Sequence, residues 1–199
     1  MFLVCLCALL SLAGPSGDAR RAWAEPPPAV IERSYEVLEV YLGVDEALTL
    51  IFPASDQILK ETVTLTDEQA ERVGSAAGYP IDERNQIVYK AMSGRTVDGY
   101  AVVADEIGKF HDITFVVGMS PQARVTRVEV LVYRESRGGE VRYRRFLRQF
   151  EGKSLRNPIR PNRDVINITG ATLSVRAISR GVRKALGIVR EAYGPMLAE

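Results

Sequence analysis

The chain contains few of the residue types that build metal and thiol sites. Its 199 residues include two cysteines, Cys5 and Cys7, and one histidine, His111. Both cysteines fall within an apolar N-terminal stretch, so the rest of the chain cannot form a disulfide, a thiolate metal site or a c-type haem attachment. One histidine cannot anchor a transition metal alone, and a surface or turn role is favoured for it. We therefore expect no metal site and no Cys-His or Ser-His-Asp catalytic group.

An excess of charge of one sign and a long hydrophobic run are also missing. The 26 basic and 25 acidic residues give a formal net charge of +1, which offers no argument for a nucleic-acid partner. The apolar run from Phe2 to Gly14 is shorter than the roughly 20 residues that span a bilayer. Followed by Ala22-Trp23-Ala24, it is typical of a secretory signal cleaved before Glu25. An uncleaved N-terminal anchor is the alternative.

This pattern predicts three segments. Residues 1–24 are expected to be a signal peptide, residues 25–34 a Pro-rich leader, and residues 35–199 a single domain. Export would place the domain outside the cytoplasm, in a periplasm or at the outer face of the membrane.

Several segments have helical signals. Residues 35–52 are expected to be helical at least from Asp45 to the stop at Pro53. The sequence Thr66-Asp67-Glu68-Gln69 has capping-box spacing, and Gly78 suits the end of the helix that follows. A long helix is predicted from about Thr172 to Tyr193, with an apolar stripe at Val175, Ile178, Val182, Leu186 and Val189. Residues 140–150 are predicted to form a short basic helix, and residues 156–163 a loop rich in Pro, Asn and Arg.

Other segments are rich in Val, Ile, Phe and Tyr and are bounded by turn residues, which is typical of strands. They are Gln86–Met92, Tyr100–Val103, Ile113–Val117 and Val125–Val132. In the last of them, Val128, Val130 and Val132 are expected to share one face. A further strand is predicted at Val165–Ile168. The fold class is therefore α+β, with helices packed on an antiparallel sheet.

The most informative stretch is Thr169-Gly170-Ala171-Thr172-Leu173-Ser174, between a β-branched run and the start of the last helix. Small residues let the backbone approach a ligand closely, and the helix start favours an anion at Thr172. The alternative is that Thr172 is an N-cap, which would be favoured for an isolated motif of this length. Asn167-Ile168-Thr169 also has the form of a glycosylation acceptor, an interpretation we discount.

The same stretch resembles the flavinylation motif of the FMN-binding domain family, which includes flavoprotein subunits of Rnf and sodium-translocating quinone reductase complexes. The family pattern is roughly Asp-x-x-Ser/Thr-Gly-Ala-Thr-x-Ser/Thr, and its last Gly-Ala-Thr threonine carries FMN through a phosphoester. Five positions match, namely Thr169, Gly170, Ala171, Thr172 and Ser174. The resemblance implies that Thr172 is the attachment point. Ile166 stands where the family has aspartate, and the nearest acid is Asp164.

The resemblance extends over most of the predicted domain. It includes Phe52-Pro53-Ala54, Asp98-Gly99-Tyr100-Ala101, the segment from Glu135 to Gly138, and Phe146 to Lys153. Around Thr172, the expected FMN contacts are Thr169, Gly170, Ala171, Leu173 and Ser174. Glu135 and Gln149 are candidate polar contacts, and Phe150, Tyr133 and Leu173 are candidate walls for the flavin ring.

The implied function is that of an FMN-binding electron carrier, which is favoured over a stand-alone enzyme. Electrons would pass between a membrane-bound redox complex or quinone-linked partner and an extracytoplasmic acceptor, and a flavin transferase would attach the cofactor. One alternative is a cofactor-free binding or assembly module, unmodified because of Ile166. Another is a flavin-dependent reductase, which is ranked last because Arg137-Gly138-Gly139 is too short for a dinucleotide fingerprint.

Overall fold

The computed structural model describes residues 39–194. They form a six-stranded antiparallel sheet with the strand order β1-β6-β5-β4-β3-β2. The strands are β1 (Glu39–Val40), β2 (Gln57–Thr64), β3 (Asn85–Ser93), β4 (Thr96–Ile107), β5 (Asp112–Met119) and β6 (Val125–Tyr133). The α-helices are α1 (Val44–Ile51), α2 (Asp67–Ala77), α3 (Arg144–Leu147) and α4 (Thr172–Tyr193). The predicted α+β class is confirmed. The signal peptide and leader predicted at residues 1–34 lie outside the described residues.

Helices cover both faces of the sheet. Buried residues of α2 and α4 join one face in the larger hydrophobic cluster, while α1 joins the other face in a smaller one. Two glycines permit this close packing. A Cβ on Gly181 of α4 would lie 2.4 Å from Phe115 Cζ, and a Cβ on Gly118 of β5 would lie 2.3 Å from Ile51 Cγ2. Among residues 39–194, no helix is both long enough and apolar enough to cross a bilayer.

The predicted ends of α2 and α4 agree with the structure. The Thr66 hydroxyl accepts a hydrogen bond from the Gln69 N–H, and the Gln69 side chain accepts one from the Thr66 N–H, which is the capping box. Gly78 follows α2 in the left-handed conformation with a φ of 90°. All five stripe residues of α4 are fully buried, so its predicted apolar face is confirmed.

Two strands were not predicted, and one face assignment was wrong. In β2 all eight side chains are exposed or half-buried, so its sequence carries little hydrophobic signal, and β1 has only two residues. Val132 does not share the face of Val128 and Val130. The partner of Val130 is Phe115 while that of Val132 is Thr114, so the intervening Leu131 forms a bulge that shifts the alternation by one residue.

Two further predictions near the site were wrong. Val165–Ile168 is not a strand, because its backbone bonds elsewhere: the Val165 N–H donates to the Arg160 carbonyl and the Ile166 N–H to Gln149 Oε1. Residues 140–150 are not one helix. A 3₁₀ turn at Gly139–Arg142 is separated from α3 by Tyr143 in an extended conformation, and a second 3₁₀ turn follows at Arg148–Phe150.

Candidate functional site

The motif turn leads directly into α4. Gly170 has a φ of 84° and open space where a Cβ would be, and the Ala171 N–H closes the turn on the Ile168 carbonyl at 3.0 Å. Ala171 is the N-cap, so Thr172 is the first residue of the helix and its hydroxyl does not cap it. The N-cap interpretation of Thr172 is therefore wrong for this structure.

The N-terminus of α4 can receive an anion. Its first backbone hydrogen bond runs from the Val175 N–H to the Ala171 carbonyl at 2.9 Å, so the N–H groups of residues 172–174 precede the intrahelical ladder. Within residues 39–194, no side chain caps this end, and its first turn has no acidic residue. The N–H groups and the positive end of the helix dipole therefore favour a phosphate here.

Asn167 holds the Thr172 hydroxyl in place. Its amide Nδ2 donates to Thr172 Oγ1 at 3.0 Å, whereas its Oδ1 is buried and has no hydrogen-bond partner among the described residues. An unpaired buried acceptor costs roughly 1–3 kcal/mol. A ligand with hydroxyl donors beside a phosphate, such as the ribityl chain of FMN, would satisfy it. Asn167 was not identified as a site residue from the sequence. The signal that could have found it is its position two residues before Thr169.

Beside the motif turn lies a cleft of about 430 Å³, which is within the size range of small-molecule sites. Three separate segments line it. Glu39 lies at the edge strand, the second segment runs from Tyr133 to Tyr143, and Thr169 and Gly170 belong to the motif. Glu135 and the motif were both predicted to contact the ligand, and the structure places Glu135 along one cleft with the first two motif residues, Thr169 and Gly170.

Residues 134–143 form the turn beside the cleft, which we call the cleft turn. Gly138 lets this turn approach the first turn of α4 closely. Its φ is 86°, and a Cβ there would lie 2.9 Å from the Tyr133 hydroxyl and 3.1 Å from Ser174 Oγ. The Tyr133 hydroxyl donates to the Arg137 carbonyl at 2.6 Å and lies 3.0 Å from Ser174 Oγ. Burial raises the pKa of the Tyr133 phenol above its ordinary value, which keeps it protonated as a donor.

This network changes the expected role of Ser174. The side chain is only 5% exposed and already contacts the Tyr133 hydroxyl, so it braces the helix start from inside. Thr169 is exposed and lines the cleft, and its hydroxyl is therefore the better placed of the two for a phosphate oxygen.

Glu135 joins the cleft to the turn between β4 and β5. Its Oε1 accepts hydrogen bonds from the N–H groups of Lys109, Phe110 (2.7 Å) and His111 (3.2 Å). Burial tends to raise the pKa of this carboxyl, but the three donors outweigh it and hold the pKa below its ordinary value. The residue is thus an ionised carboxylate that fixes the turn while lining the cleft.

The other candidate contacts are placed differently. Gln149 Oε1 accepts the Ile166 N–H at 2.7 Å, so its amide supports the chain before the motif. Phe150 is completely buried and makes an edge contact with Phe146 at 5.6 Å, which places it in the core rather than on an accessible wall. Leu173 is 43% exposed beside Thr172 and is free to contact a ligand.

Neither acid position of the motif offers a free carboxylate. Ile166, at the position of the family aspartate, is 77% exposed. Asp164 is engaged by the Ile159 N–H at 3.1 Å, the Arg160 N–H at 2.9 Å and Lys153 Nζ at 3.0 Å. Burial tends to raise its pKa, but these partners hold it below the ordinary value. In the part of the chain described, no three His, Cys, Asp or Glu residues could hold a metal ion.

Comparisons with solved structures show that this arrangement is a known fold. NqrC from Shewanella oneidensis is similar with a TM-score of 0.53 and 16% identity, over 80% of this chain and 92% of that one. A component of the Na(+)-translocating NADH-quinone reductase from Parabacteroides distasonis has a TM-score of 0.44 and 15% identity, over 80% and 86% of the two chains. The first similarity shows the fold.

Sequence comparisons match part of the chain to a family model. No curated protein matches the chain. Residues 108–187 match the family model described as FMN-binding domain, and this range includes β5, β6, the cleft turn and the motif of α4. Over this range the chain is similar to the FMN-binding domain family, and the cofactor that the match indicates is FMN.

Proposed function

We propose that the protein is an exported electron carrier whose FMN is attached to Thr172 through a phosphoester. The observation that carries this proposal is the position of Thr172. It is half-buried at the first residue of α4, its Oγ1 is held by Asn167, and open N–H groups follow it. The threonine oxygen therefore lies at a helix start whose open N–H groups favour a phosphate, within the matched family region.

The protein supplies position and electrostatics to this cofactor. Bound FMN supplies the redox chemistry. The N–H groups of residues 172–174 would bind phosphate oxygens, and the exposed Thr169 hydroxyl in the preceding turn would assist. The cleft lined by Tyr133, Glu135 and Gly138 receives the rest of the molecule and excludes water from one side. A covalent tether keeps the cofactor at high effective concentration, which matters where free FMN cannot be replenished.

The sequence pattern and the matched family support the proposed export and partners. The segment from Phe2 to Ala24 supports secretion or N-terminal anchoring. The matched family and the shared fold with NqrC support a membrane-bound or quinone-linked redox partner. Attachment of FMN would require a flavin transferase, and electrons would leave to an acceptor outside the cytoplasm.

Replacing Thr172 tests the attachment. The full chain is produced in an exporting host together with a flavin transferase, and flavin fluorescence is recorded on a denaturing gel alongside intact mass. Thr172→Ala should lose covalent flavin completely because no oxygen remains to esterify, while Thr172→Ser should retain part of it. Thr49→Ala, which removes a hydroxyl from an exposed position of α1, is the matched control and should stay labelled.

The intact mass also reports whether the exported chain begins at Glu25 or retains its N-terminal segment. Fluorescent Thr172→Ala protein would show that the attachment point is wrong. An unmodified wild-type chain that also fails to bind added FMN would remove the electron-carrier proposal.

A second candidate function is a cofactor-free binding or assembly module of the same fold. The observation that favours it is the exposed Ile166 where the family has aspartate, with Asp164 already engaged. Ile166→Asp decides between the two, because its exposed position accepts a carboxylate without repacking. If the missing acid limits modification, this variant should raise the labelled fraction several-fold over wild type, and Ile166→Asn should not. Equal labelling of all three proteins would show that the aspartate is dispensable here.

A further inference from the structure

A groove lined by arginines lies away from the flavin site. Six of its lining residues are Arg72, Arg156, Arg160, Arg163, Arg183 and Arg190, which we call the arginine groove. It has a volume of about 590 Å³ between α2, the loop over residues 154–164 and the second half of α4, and its other lining residues are uncharged. In a chain with a net charge of +1, this is a pronounced local excess of positive charge.

Three of these arginines have no counter-charge. Arg72 and Arg190 share Glu191, at 2.8 Å and 3.2 Å. Arg156, Arg160 and Arg163 are exposed, and within residues 39–194 their guanidinium groups form no ion pair or hydrogen bond. Asp164, the nearest acid along this loop, is paired with Lys153 instead. The groove therefore presents guanidinium N–H groups that have no hydrogen-bond or ion-pair partner within residues 39–194.

Arg183 is half-buried in the groove wall and adds to the local excess of positive charge. Its guanidinium donates to the carbonyls of Ala76 (2.8 Å), Ala77 (2.8 Å) and Ile159 (2.6 Å), which fixes it at the groove wall. Burial lowers its pKa, and the positive charges of Arg160 and Arg180 lower it further. An anion in the groove would relieve this repulsion.

The loop that carries the open arginines is held in a strained shape. Ile159 has a φ of 46° and Asn162 a φ of 62°, and a positive φ at a β-branched residue costs on the order of 1–3 kcal/mol. Ile159 is completely buried, and Asp164 accepts the N–H groups of residues 159 and 160. Packing and hydrogen bonds thus enforce the loop conformation and keep the spacing of its arginines.

We propose that the arginine groove binds a phosphoryl-bearing ligand, either a free polyphosphate or the head group of an anionic phospholipid. Every charged residue lining it is arginine, whose planar fork matches phosphate oxygens better than lysine does. Its volume suits a small multivalent anion. Arg183 and Arg190 lie about 17–27 Å along α4 from Thr172 at 1.5 Å per residue, so the groove is distinct from the flavin site.

Calorimetric titration of the full chain with inorganic tripolyphosphate tests the proposal. The groove variant Arg156→Gln, Arg160→Gln, Arg163→Gln should bind at least about tenfold more weakly, because three charge-assisted contacts are removed. The matched control Arg95→Gln, Arg145→Gln, Arg148→Gln removes the same charge from exposed positions elsewhere and should stay within about twofold of wild type.

Vesicle flotation distinguishes the two sources of the phosphoryl group. Retention on phosphatidylglycerol vesicles that exceeds retention on phosphatidylcholine, and that the groove variant loses, identifies a lipid head group. Submicromolar tripolyphosphate binding without that retention identifies a free ligand.

Three results would overturn the proposal: no binding of either probe at physiological ionic strength, equal losses in both triple variants, or citrate or an acidic peptide binding as tightly as tripolyphosphate. The altered side chains make no contacts that the fold requires, so the unliganded groove variant should unfold at or above the wild-type temperature. If it does not fold, Arg163→Gln alone carries the test, with about a threefold loss expected.

Discussion

At the scale of single residues, Gly138 is the position on which the cleft depends. It combines a φ of 86° with contacts to the Tyr133 hydroxyl, Ser174 and Ala171 that leave no room for a Cβ. Gly152 has a similar φ of 75°, but a Cβ there would meet nothing within 4 Å. Comparing alanine substitutions at the two glycines therefore separates the cost of left-handed backbone strain from the cost of close contacts.

Gly138→Ala should destabilise the protein by about 2–4 kcal/mol, from left-handed strain plus overpacking, and should reduce flavin incorporation. Gly152→Ala should cost only about 1 kcal/mol and leave incorporation unchanged. Urea unfolding and the absorbance ratio of flavin to protein measure the two effects. Equal destabilisation by both substitutions would mean that the close contacts at Gly138 carry no energy.

Little of this residue-scale detail could be predicted from the sequence. Thr172 could be proposed as a site residue because a local string carries the signal and because the helix start follows immediately. Asn167 and Gly138 were missed because their roles depend on partners that are distant in the chain or on a buried amide oxygen. Phe150 was proposed as a flavin wall, yet aromatic character alone does not distinguish a core position from a cleft position.

At the scale of elements, α4 connects the motif to the sheet. Its middle crosses β5 where Gly181 meets Phe115, and its C-terminal half packs on α2, where Gly187 faces Val73. The position of Thr172 therefore depends on how closely this helix lies on the sheet.

Gly181→Ala should destabilise the fold by about 1–3 kcal/mol because the new methyl group would lie 2.4 Å from Phe115 Cζ. Gly187→Ala is the matched control, since its nearest contacts would be at 3.4 Å and alanine favours a helix by about 1 kcal/mol. It should leave stability unchanged or raise it. Thermal unfolding of both variants measures the difference, and a loss in Gly187→Ala as large as in Gly181→Ala would contradict this packing argument.

Elements with strong local signals were predicted well. The capping box at Thr66 and the apolar stripe of α4 each specify a helix without help from distant residues. β2 was missed because an edge strand that is exposed along most of its length needs no hydrophobic alternation. Val165–Ile168 was assigned to a strand on composition, whereas a local loop and the Gln149 side chain satisfy its backbone.

At the scale of the whole molecule, two buried carboxylates act in opposite directions on stability. Backbone donors hold the pKa of Glu135 below its ordinary value despite burial. Burial raises the pKa of Glu106, which accepts the Tyr79 hydroxyl and lies 3.7 Å from Arg180. Glu135 therefore stabilises the fold above the ordinary glutamate pKa and loses this contribution as pH falls. The contribution of Glu106 is greatest in acid and is lost as pH rises through its raised pKa.

Replacing each carboxylate by its amide should change how steeply the free energy of unfolding falls in acid, in opposite directions for the two residues. Glu135→Gln should flatten the loss of stability below the ordinary glutamate pKa, because the group that must be protonated is gone. Glu106→Gln should steepen it, because an opposing contribution is removed. Unfolding free energies measured from neutral pH to about pH 3 give the slopes, and Glu71→Gln, at an exposed position of α2, serves as the control. The same change of slope in both variants would contradict these assignments.

The strand order also determines which part of the domain lies at the mouth of the cleft. β1 pairs with β6 at the sheet edge, and Glu39, the first described residue, contributes to the cleft lining. Under the proposed function, this two-residue edge strand would border the cofactor. Weakening the pairing of Glu39 and Val40 with β6 should therefore alter electron exchange before it alters folding.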